Sequence, residues 1–530
     1  MNRTPPQRDV PPQKHAPRRG ALLVLVLIVV SMLSLTGYAF TEMMFTENMA
    51  VTIHGRQLQA TAGAESAVEL VKSIVARPPD QIAEFGGLYD NPERLRGVIV
   101  NTGDDGDDLL RFTVLTTRLE DNTPIGIRYG VTDESAKLNL WALLEWDKAQ
   151  PGTARAALLA LPNMTEELAD HLLDWIDADN SPREFGAEAS VYATLDPPYA
   201  PRNSVPPRLE ELLLVVGVTR QLLLGNDLNL NGQIDPNEVA ESATMSSMLT
   251  SMTNADGAPW SEFLTLDSAE SNVDPNGENK LDLNSVSVEA LTARLPLTDA
   301  QGFAEFVDAY RTFGPLPAQN AAASRPAPVT STSNPSTSAA AGTSSTIRSV
   351  FDLVDARVGV PARAGRPAGV LESPLRSGDP EPLGEWLAVL EQWTTTDPRP
   401  RIAGRVNVNL APSVVLQAVP GITTTTAEAI AARRGFEQST APAHLGWLLI
   451  EGLLDLETLR QVAPFLTTSG DVSSFQCLGY FDSRGPVSRF RVTLDATSFP
   501  PAVISWSNLQ RAPLGFGPQE LGVGEGPPRR

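Results

Sequence analysis

One cysteine, Cys477, and four histidines, His15, His54, His171 and His444, are the only thiol and imidazole groups in a chain of 530 residues. A single thiol rules out an intramolecular disulfide, and no Cys or His pair stands at zinc-ligand spacing. Neither a zinc site nor a Cys-His nucleophile is supported. Phosphate-binding Walker loops, Gly-x-Ser-x-Gly elbows and His-Glu zinc motifs are also missing, so no convergent catalytic set is present and the chain reads as a non-enzyme. Positive charge is scarce as well: 41 Lys and Arg stand against 63 Asp and Glu, a net charge of −22. That balance opposes nucleic-acid backbones and suits divalent cations. The length implies more than one core.

Charge is absent altogether from Gly20 to Thr41, a run long enough for a helix to cross a bilayer. Arg3, Arg8, Lys14, Arg18 and Arg19 precede it, and Glu42 and Glu47 follow it. The positive-inside rule therefore places the N-terminus in the cytoplasm and the bulk of the chain outside. A signal peptide cut before Phe40 is the competing reading, because Gly37 and Ala39 are small. The helical pattern, however, continues without proline from Glu42 to Val75 and stops at Arg77-Pro78-Pro79. One long helix, half in lipid and half outside, accounts for the whole stretch.

Three β-rich runs, "GVIV", "LRFTVLTTRL" and "IGIRYGV", follow between residues 94 and 130, with "GDDGDD" as a solvated turn. After residue 466 β character returns in "FQCLGYFD", "SRFRVTLDA" and "PAVISWSN", strands able to complete the same antiparallel sheet. The intervening text is helical. In it Leu168, His171, Leu172, Trp175 and Ile176 share one face behind a Thr165 cap. A weak repeat links "AKLNLWALL", "NKLDLNSVSVEALTARLPLTDAQGFAEFVDAYR" and "GRVNVNLAPSVVLQAVPGITTTTAEAIAARR", which share a short apolar-polar alternation ending in Asn, then a helix, a Leu-Pro or Val-Pro turn and another helix.

The Gly20-Ala21 junction before an apolar helix resembles the prepilin-peptidase site of the type IV pilin superfamily. Cleavage there would leave Leu25 at mature position five, where most such proteins carry Glu. The stretch Asp174-Trp175-Ile176-Asp177-Ala178-Asp179, with Gly186-Ala187-Glu188, Tyr192, Pro198-Tyr199 and "LEELLLVVGV", is similar to general secretion pathway protein K. That family is the K-type minor pseudopilin of the type II secretion system, and it also lacks the glutamate. The resemblance implies an α+β fold: a transmembrane, pilin-like helix packed on a small antiparallel sheet, with inserted all-α SAM-like or helix-hairpin-helix modules. It divides the chain into a basic leader (1–20), a transmembrane helix (21–41), the periplasmic part of the long helix (42–79) and sheet segments (80–135 and 466–515). An inserted helical domain (136–316) and a second helical module (347–465) complete it, while composition alone marks a disordered linker (317–346), almost free of charge and rich in Pro, Ser, Thr and Ala and a departure from the family, and a flexible tail (516–530) without core content. It further implies an inner-membrane location, I-type and J-type minor pseudopilins and inner-membrane secretion components as partners, exported substrates as contacts, and a role at the tip of the pseudopilus in starting assembly.

"DLNLNGQIDPNE", residues 227 to 238, matches an EF-hand loop. Asp227, Asn229 and Asn231 offer side-chain oxygens, and Gly232 permits the turn. Gln233 offers its carbonyl, Asp235 a direct or water-mediated oxygen, and Glu238 a bidentate carboxylate, while Ile234 would anchor the loop to the core. The expected ligand is calcium, in a structural role, held between helices "RLEELLLVVGVTRQLLLG" and "NEVAESATMSSMLTSM". Of the other acidic clusters, "DWIDAD" could form a second cation site but reads first as solvated or capping carboxylates, and "DPNGENKLD" reads as a turn.

A rival reading is a membrane-anchored helix-hairpin-helix DNA-binding protein of the competence type, carried by Gly421-Ile422 and by Arg433 and Arg434. Thr423 to Thr426 stand where a second glycine would present its N–H to phosphate, and the net charge repels DNA.

Overall fold

The computed structural model describes residues 19–102, 108–236, 238, 258–316, 345–361, 369–434, 442–483, 485–510 and 514–524. Helix α1 runs unbroken from Arg19 to Val75. Its two halves meet different surroundings: every described side chain from Leu22 to Gly55 is exposed, whereas Ala60, Ala64, Ala67, Val68, Val71 and Ile74 are buried. Those six recur at three- and four-residue spacing and so form one stripe. The proline pair at Pro78-Pro79 disfavours helix in the residue before it, and α1 ends just upstream.

That stripe lies on a seven-stranded antiparallel sheet. Its strands are β1 (Val98–Thr102), β2 (Leu109–Glu120), β3 (Thr123–Arg128), β4 (Thr132–Asp133), β5 (Val472–Phe481), β6 (Ser488–Asp495) and β7 (Ala502–Asn508). The order is β1-β2-β5-β6-β7, with β3 paired to β2 and β4 to β5. Val114 faces Cys477, and Phe112 faces Gly479. A Cβ on Gly479 would sit 1.9 Å from the Ala60 carbonyl oxygen, so the missing side chain lets the helix backbone rest on the strand. Phe112, Val114, Phe475, Cys477, Phe490, Val492 and Leu494 pack beneath α1. Burial there pushes the Cys477 thiol up to about 12, so it is inert packing.

The opposite face carries Leu115, Leu478 and Tyr480, and it is covered by Phe516 and Leu521. Tyr129 Oη donates to the Glu520 carbonyl at 2.7 Å, and Tyr480 Oη to that of Leu521. The expectation of a frayed tail from residue 516 is therefore corrected: two apolar side chains and two phenolic hydroxyls seat the segment as far as 524. Residues 525–530 of that tail lie outside the described residues.

All helical modules enter between β4 and β5. Each of the three repeats is closed by a parallel two-residue clip: Leu138-Asn139 on Leu264-Thr265, Leu281-Asp282 on Thr394-Thr395, and Val406-Asn407 on Leu466-Thr467. The polar residue in the first strand repeats one job, since Asn139, Asp282 and Asn407 each accept the backbone N–H two residues on, at 2.9–3.0 Å. The closing threonines do likewise for Asp267, Asp397 and Ser469, at 3.1–3.4 Å. A continuous apolar core from Leu138 to Leu466 joins the three.

This arrangement corrects the division drawn at 317–346. The helices Val288–Arg294 and Ala300–Phe313 belong to the same clip-closed module as Pro380–Trp393. Pro315 bridges Val358, and Ser345 N donates to Arg311 O at 3.2 Å, so both sides of the expected linker return to one place. Residues 317–344 themselves lie outside the described residues, as do the leader to residue 18 and residues 103–107 of the acidic turn.

Candidate cation sites

Asp227, Asn229, Asn231, Asp235 and Glu238 converge in one hydrogen-bonded loop. Asp227 accepts the N–H groups of Asn231 at 3.1 Å and Gly232 at 2.7 Å. Glu238 reaches back across the loop, one oxygen accepting Leu228 N at 2.8 Å and Asn229 N at 3.0 Å, the other Asp235 N at 2.9 Å. The Asn229 amide donates to Asp235 at 2.7 Å. Gly232 has φ of 78°, and a Cβ there would meet the Gly126 carbonyl oxygen at 2.1 Å, so both conformation and space demand glycine.

Asn229 and Glu238 are buried. Burial raises the Asp227 carboxyl above its ordinary value, the N–H groups of Gly232 and Asn231 counter this, and Glu238 raises it again. Three carboxylates, Asp227 and Asp235 half-buried and Glu238 buried, brought together in one loop are what a hard divalent cation compensates. The residues present fit calcium.

Two features of the loop differ from the sequence reading. Ile234 is 56 % exposed instead of anchoring the loop. Anchorage comes from Arg489, 2 % exposed, whose guanidinium donates to the carbonyls of Asn229 at 2.7 Å and Leu230 at 2.9 Å. The helix expected before the loop is also broken: a 3-10 turn at Leu209–Leu214 and a short helix Arg220–Leu224 flank Gly217, with φ of 85°. The expected following helix falls almost wholly on residues outside the described set. Gln233 has an exposed side chain, and its N–H donates to Asn231 Oδ1 at 2.8 Å.

A second cluster lies at the end of helix Glu166–Ile176, which Thr165 caps by accepting Leu168 N at 3.2 Å. Asp177, Asp179 and Glu188 bring one carboxylate oxygen each within 4.8 Å of one another. Asp177 also pairs with Arg183, which holds the fully buried Asp174 at 2.9 Å. Glu188 is 3 % exposed, and neither of its oxygens has a hydrogen-bond partner. Burial first, then the carboxylates of Asp174, Asp177 and Asp179, raise its pKa. A Cβ on Gly186 would fall 1.8 Å from Asp174, so glycine is required for the chain to fold back over the helix end. The solvated-or-capping reading of this stretch is corrected: Asp174 is fully buried and, like Asp177, is held by Arg183 at the C-terminal end of the helix. Glu188 was the missed member, and the only signal for it was its place in the Gly186-Ala187-Glu188 motif.

"DPNGENKLD" forms the expected turn: Asp274 accepts Asn276 N at 2.9 Å and Glu278 N at 3.0 Å, and pairs with Arg294 at 2.6 Å. The arginines of the DNA-binding reading are engaged elsewhere. Arg433 pairs with Glu451 at 2.5 Å, and Arg434 donates to the carbonyls of Ala411 at 2.5 Å and Val408 at 3.3 Å. Gly20 and Ala21 lie in the first turn of α1, which from Leu22 is apolar enough to cross a membrane.

The fold thus defines an α+β protein: an apolar N-terminal helix continued onto an antiparallel sheet, with a clip-closed helical insertion bearing acidic oxygen clusters. Residues 136–224 match the family model of the type II secretion system protein K, first domain. Among its relatives, the type II secretion system protein K of Pectobacterium carotovorum subsp. carotovorum is 28 % identical over 213 residues, covering 39 % of this chain and 60 % of the relative. That of Pseudomonas aeruginosa PAO1 is 28 % identical over 208 residues, covering 37 % and 57 %. The chain therefore aligns with about three fifths of the length of these relatives. A solved chain from the GspK-GspI-GspJ complex of enterotoxigenic Escherichia coli aligns over 87 % of this chain and 99 % of its own, at 12 % identity and a TM-score of 0.37. The matched module includes the acidic cluster and ends just before the loop at Asp227.

Proposed function

We propose that this chain is a non-catalytic minor pseudopilin of the K type, placed at the tip of a type II secretion pseudopilus and helping to start its assembly. The observation that carries the reading is the joining, in one chain, of the protein K module at 136–224 to a membrane-length apolar helix that runs directly onto the sheet. In this reading prepilin peptidase cuts between Gly20 and Ala21. The helix is held in the inner membrane with its N-terminus cytoplasmic, and the sheet and helical modules are periplasmic. Leu25 then stands where a carboxylate would neutralise the terminal amine of a neighbouring subunit, which suits a subunit that caps rather than continues a filament.

Partners in this proposal are the I-type and J-type minor pseudopilins and the inner-membrane secretion components, with exported substrates as further contacts. Calcium occupies the loop of Asp227, Asn229, Asn231, Gln233, Asp235 and Glu238, and the Asp177, Asp179 and Glu188 cluster suits a second divalent cation. Both are structural sites. The three clip-closed repeats are read as SAM-like or helix-hairpin-helix units adapted to packing. Co-expression with I-type and J-type pseudopilins tests the assignment: the full chain extracted in detergent should co-purify with both. Recovery of neither, with the chain folded, would refute it. DNA retained at low salt by the full chain would favour the rival reading instead.

A further inference from the structure

Arg489 joins three parts of the molecule that are far apart in sequence. It donates to Asn229 O and Leu230 O in the loop, to Gln476 Oε1 in β5 at 2.6 and 2.9 Å, and to Leu514 O at 3.4 Å, and it lies 4.7 Å above the Phe516 ring. Burial lowers its pKa to about 10. A buried guanidinium depends on those carbonyls staying in place. The loop touches the C-terminal segment directly as well: the Asn231 NH2 donates to Gly515 O at 3.0 Å, and at the longer distance of 3.4 Å to Asp235 Oδ2 within the loop. Gly515, with φ of 69°, brings its backbone so close that a Cβ would meet Asn229 Oδ1 at 2.5 Å.

An asparagine amide has two ends. When its oxygen turns toward a cation at the loop centre, its NH2 is aimed outward, and at Asn231 outward is the Gly515 carbonyl. A filled loop likewise fixes the carbonyls of Asn229 and Leu230 against Arg489. We propose that the loop is a calcium-operated latch for the C-terminal segment, seating residues 514–524 on the outer face of the sheet through Asn231 and Arg489. Beneath that segment lie Leu115, Leu478 and Tyr480, an apolar surface that its release uncovers. The latch rests on the proposal that the loop holds calcium.

Hydrogen exchange on the full chain in detergent micelles, with calcium chloride or with chelator, tests the latch, and calorimetry measures calcium binding alongside. The amides to follow are Gly517, Leu521, Gly522 and Val523, which donate to Glu520 Oε2, Gly517 O, Gln519 O and Pro518 O. Calcium should slow their exchange at least tenfold. Asn231→Asp keeps an oxygen ligand but cannot donate to Gly515, so this variant should still bind calcium while those amides exchange at the chelated rate. Calcium binding that protects only the loop amides overturns the latch and leaves the loop reading intact. Full protection in Asn231→Asp overturns the route through Asn231. Absence of calcium binding by the wild-type chain overturns the loop reading and the latch together.

Discussion

Gly479→Ala tests how α1 is held on the sheet. The added methyl would lie 1.9 Å from Ala60 O and 2.6 Å from Ala64 N, both helix backbone atoms, against about 3.3 Å for an ordinary carbon–oxygen contact. Backbone cannot swing aside as a side-chain tip can, so α1 must lift by roughly an ångström. Val68, Val71 and Ile74 are fully or almost fully buried under that helix, and each buried side chain contributes about 1.5–3 kcal/mol. A gap of about 0.5–1 Å forfeits a quarter to a half of the contact energy, which for three side chains is about 1–4 kcal/mol. Hydrogen exchange should register this as an acceleration of about fivefold to several hundredfold at the amides of β5 and of α1 from residue 60 onward. The helical modules, with their own core, should keep wild-type rates. Gly378→Ala, where a Cβ meets nothing within 4 Å, is the neutral comparison. Wild-type protection of β5 in Gly479→Ala would refute the close-packing argument.

Two further perturbations follow from buried charge. Glu391, half-buried at a cavity among the helical modules, is pushed by desolvation to about 7 from an ordinary 4.5, against the opposing N–H of Leu445 and the Lys280 charge. The folded chain holds that proton more tightly than the unfolded chain, so its ionisation erodes stability as pH rises from about 4.5 through about 7. Glu391→Gln should gain on wild type by about 2 kcal/mol between pH 5 and pH 8 in denaturant titrations, and a pH-independent difference would contradict this. Arg111, 3 % exposed in its side chain, pairs through Nε with Asp482 at 2.5 Å. Asp482→Asn removes the countercharge from a buried guanidinium and should cost about 2–3 kcal/mol, lessened from the fully buried case because Asp482 is 18 % exposed. A loss under about 0.5 kcal/mol by chemical denaturation would place the pair with ordinary surface bridges.

Periodicity made α1 and the main strands of the sheet readable, because a stripe at three- and four-residue spacing and alternation at two are local signals. Thr165 was readable for the same reason, since a cap acts within its own turn. What sequence did not reveal were long-range partners. Ile234 sits where paired EF-hand loops pack on each other, but here no second loop was found in the sequence, and the anchor is Arg489, far along the chain in β6. Glu188 joins Asp177 and Asp179 only after the chain turns back at Gly186. Phe516 and Leu521 stand among glycines and prolines, so their neighbourhood has the composition of a tail. Their burial depends on an apolar patch assembled from β2 and β5. The repeat itself was visible, but its closing threonines, Thr265, Thr395 and Thr467, lie too far from the opening Asn or Asp to be matched by pattern.

The assignment as a membrane-held pseudopilin is tested most directly by N-terminal sequencing of the protein extracted from membranes. The account predicts a mature chain beginning at Ala21, with the whole apolar arm of α1 retained. A chain beginning at Phe40 would contradict it, because cleavage there removes the segment from Leu22 to Ala39 that the account places in the bilayer.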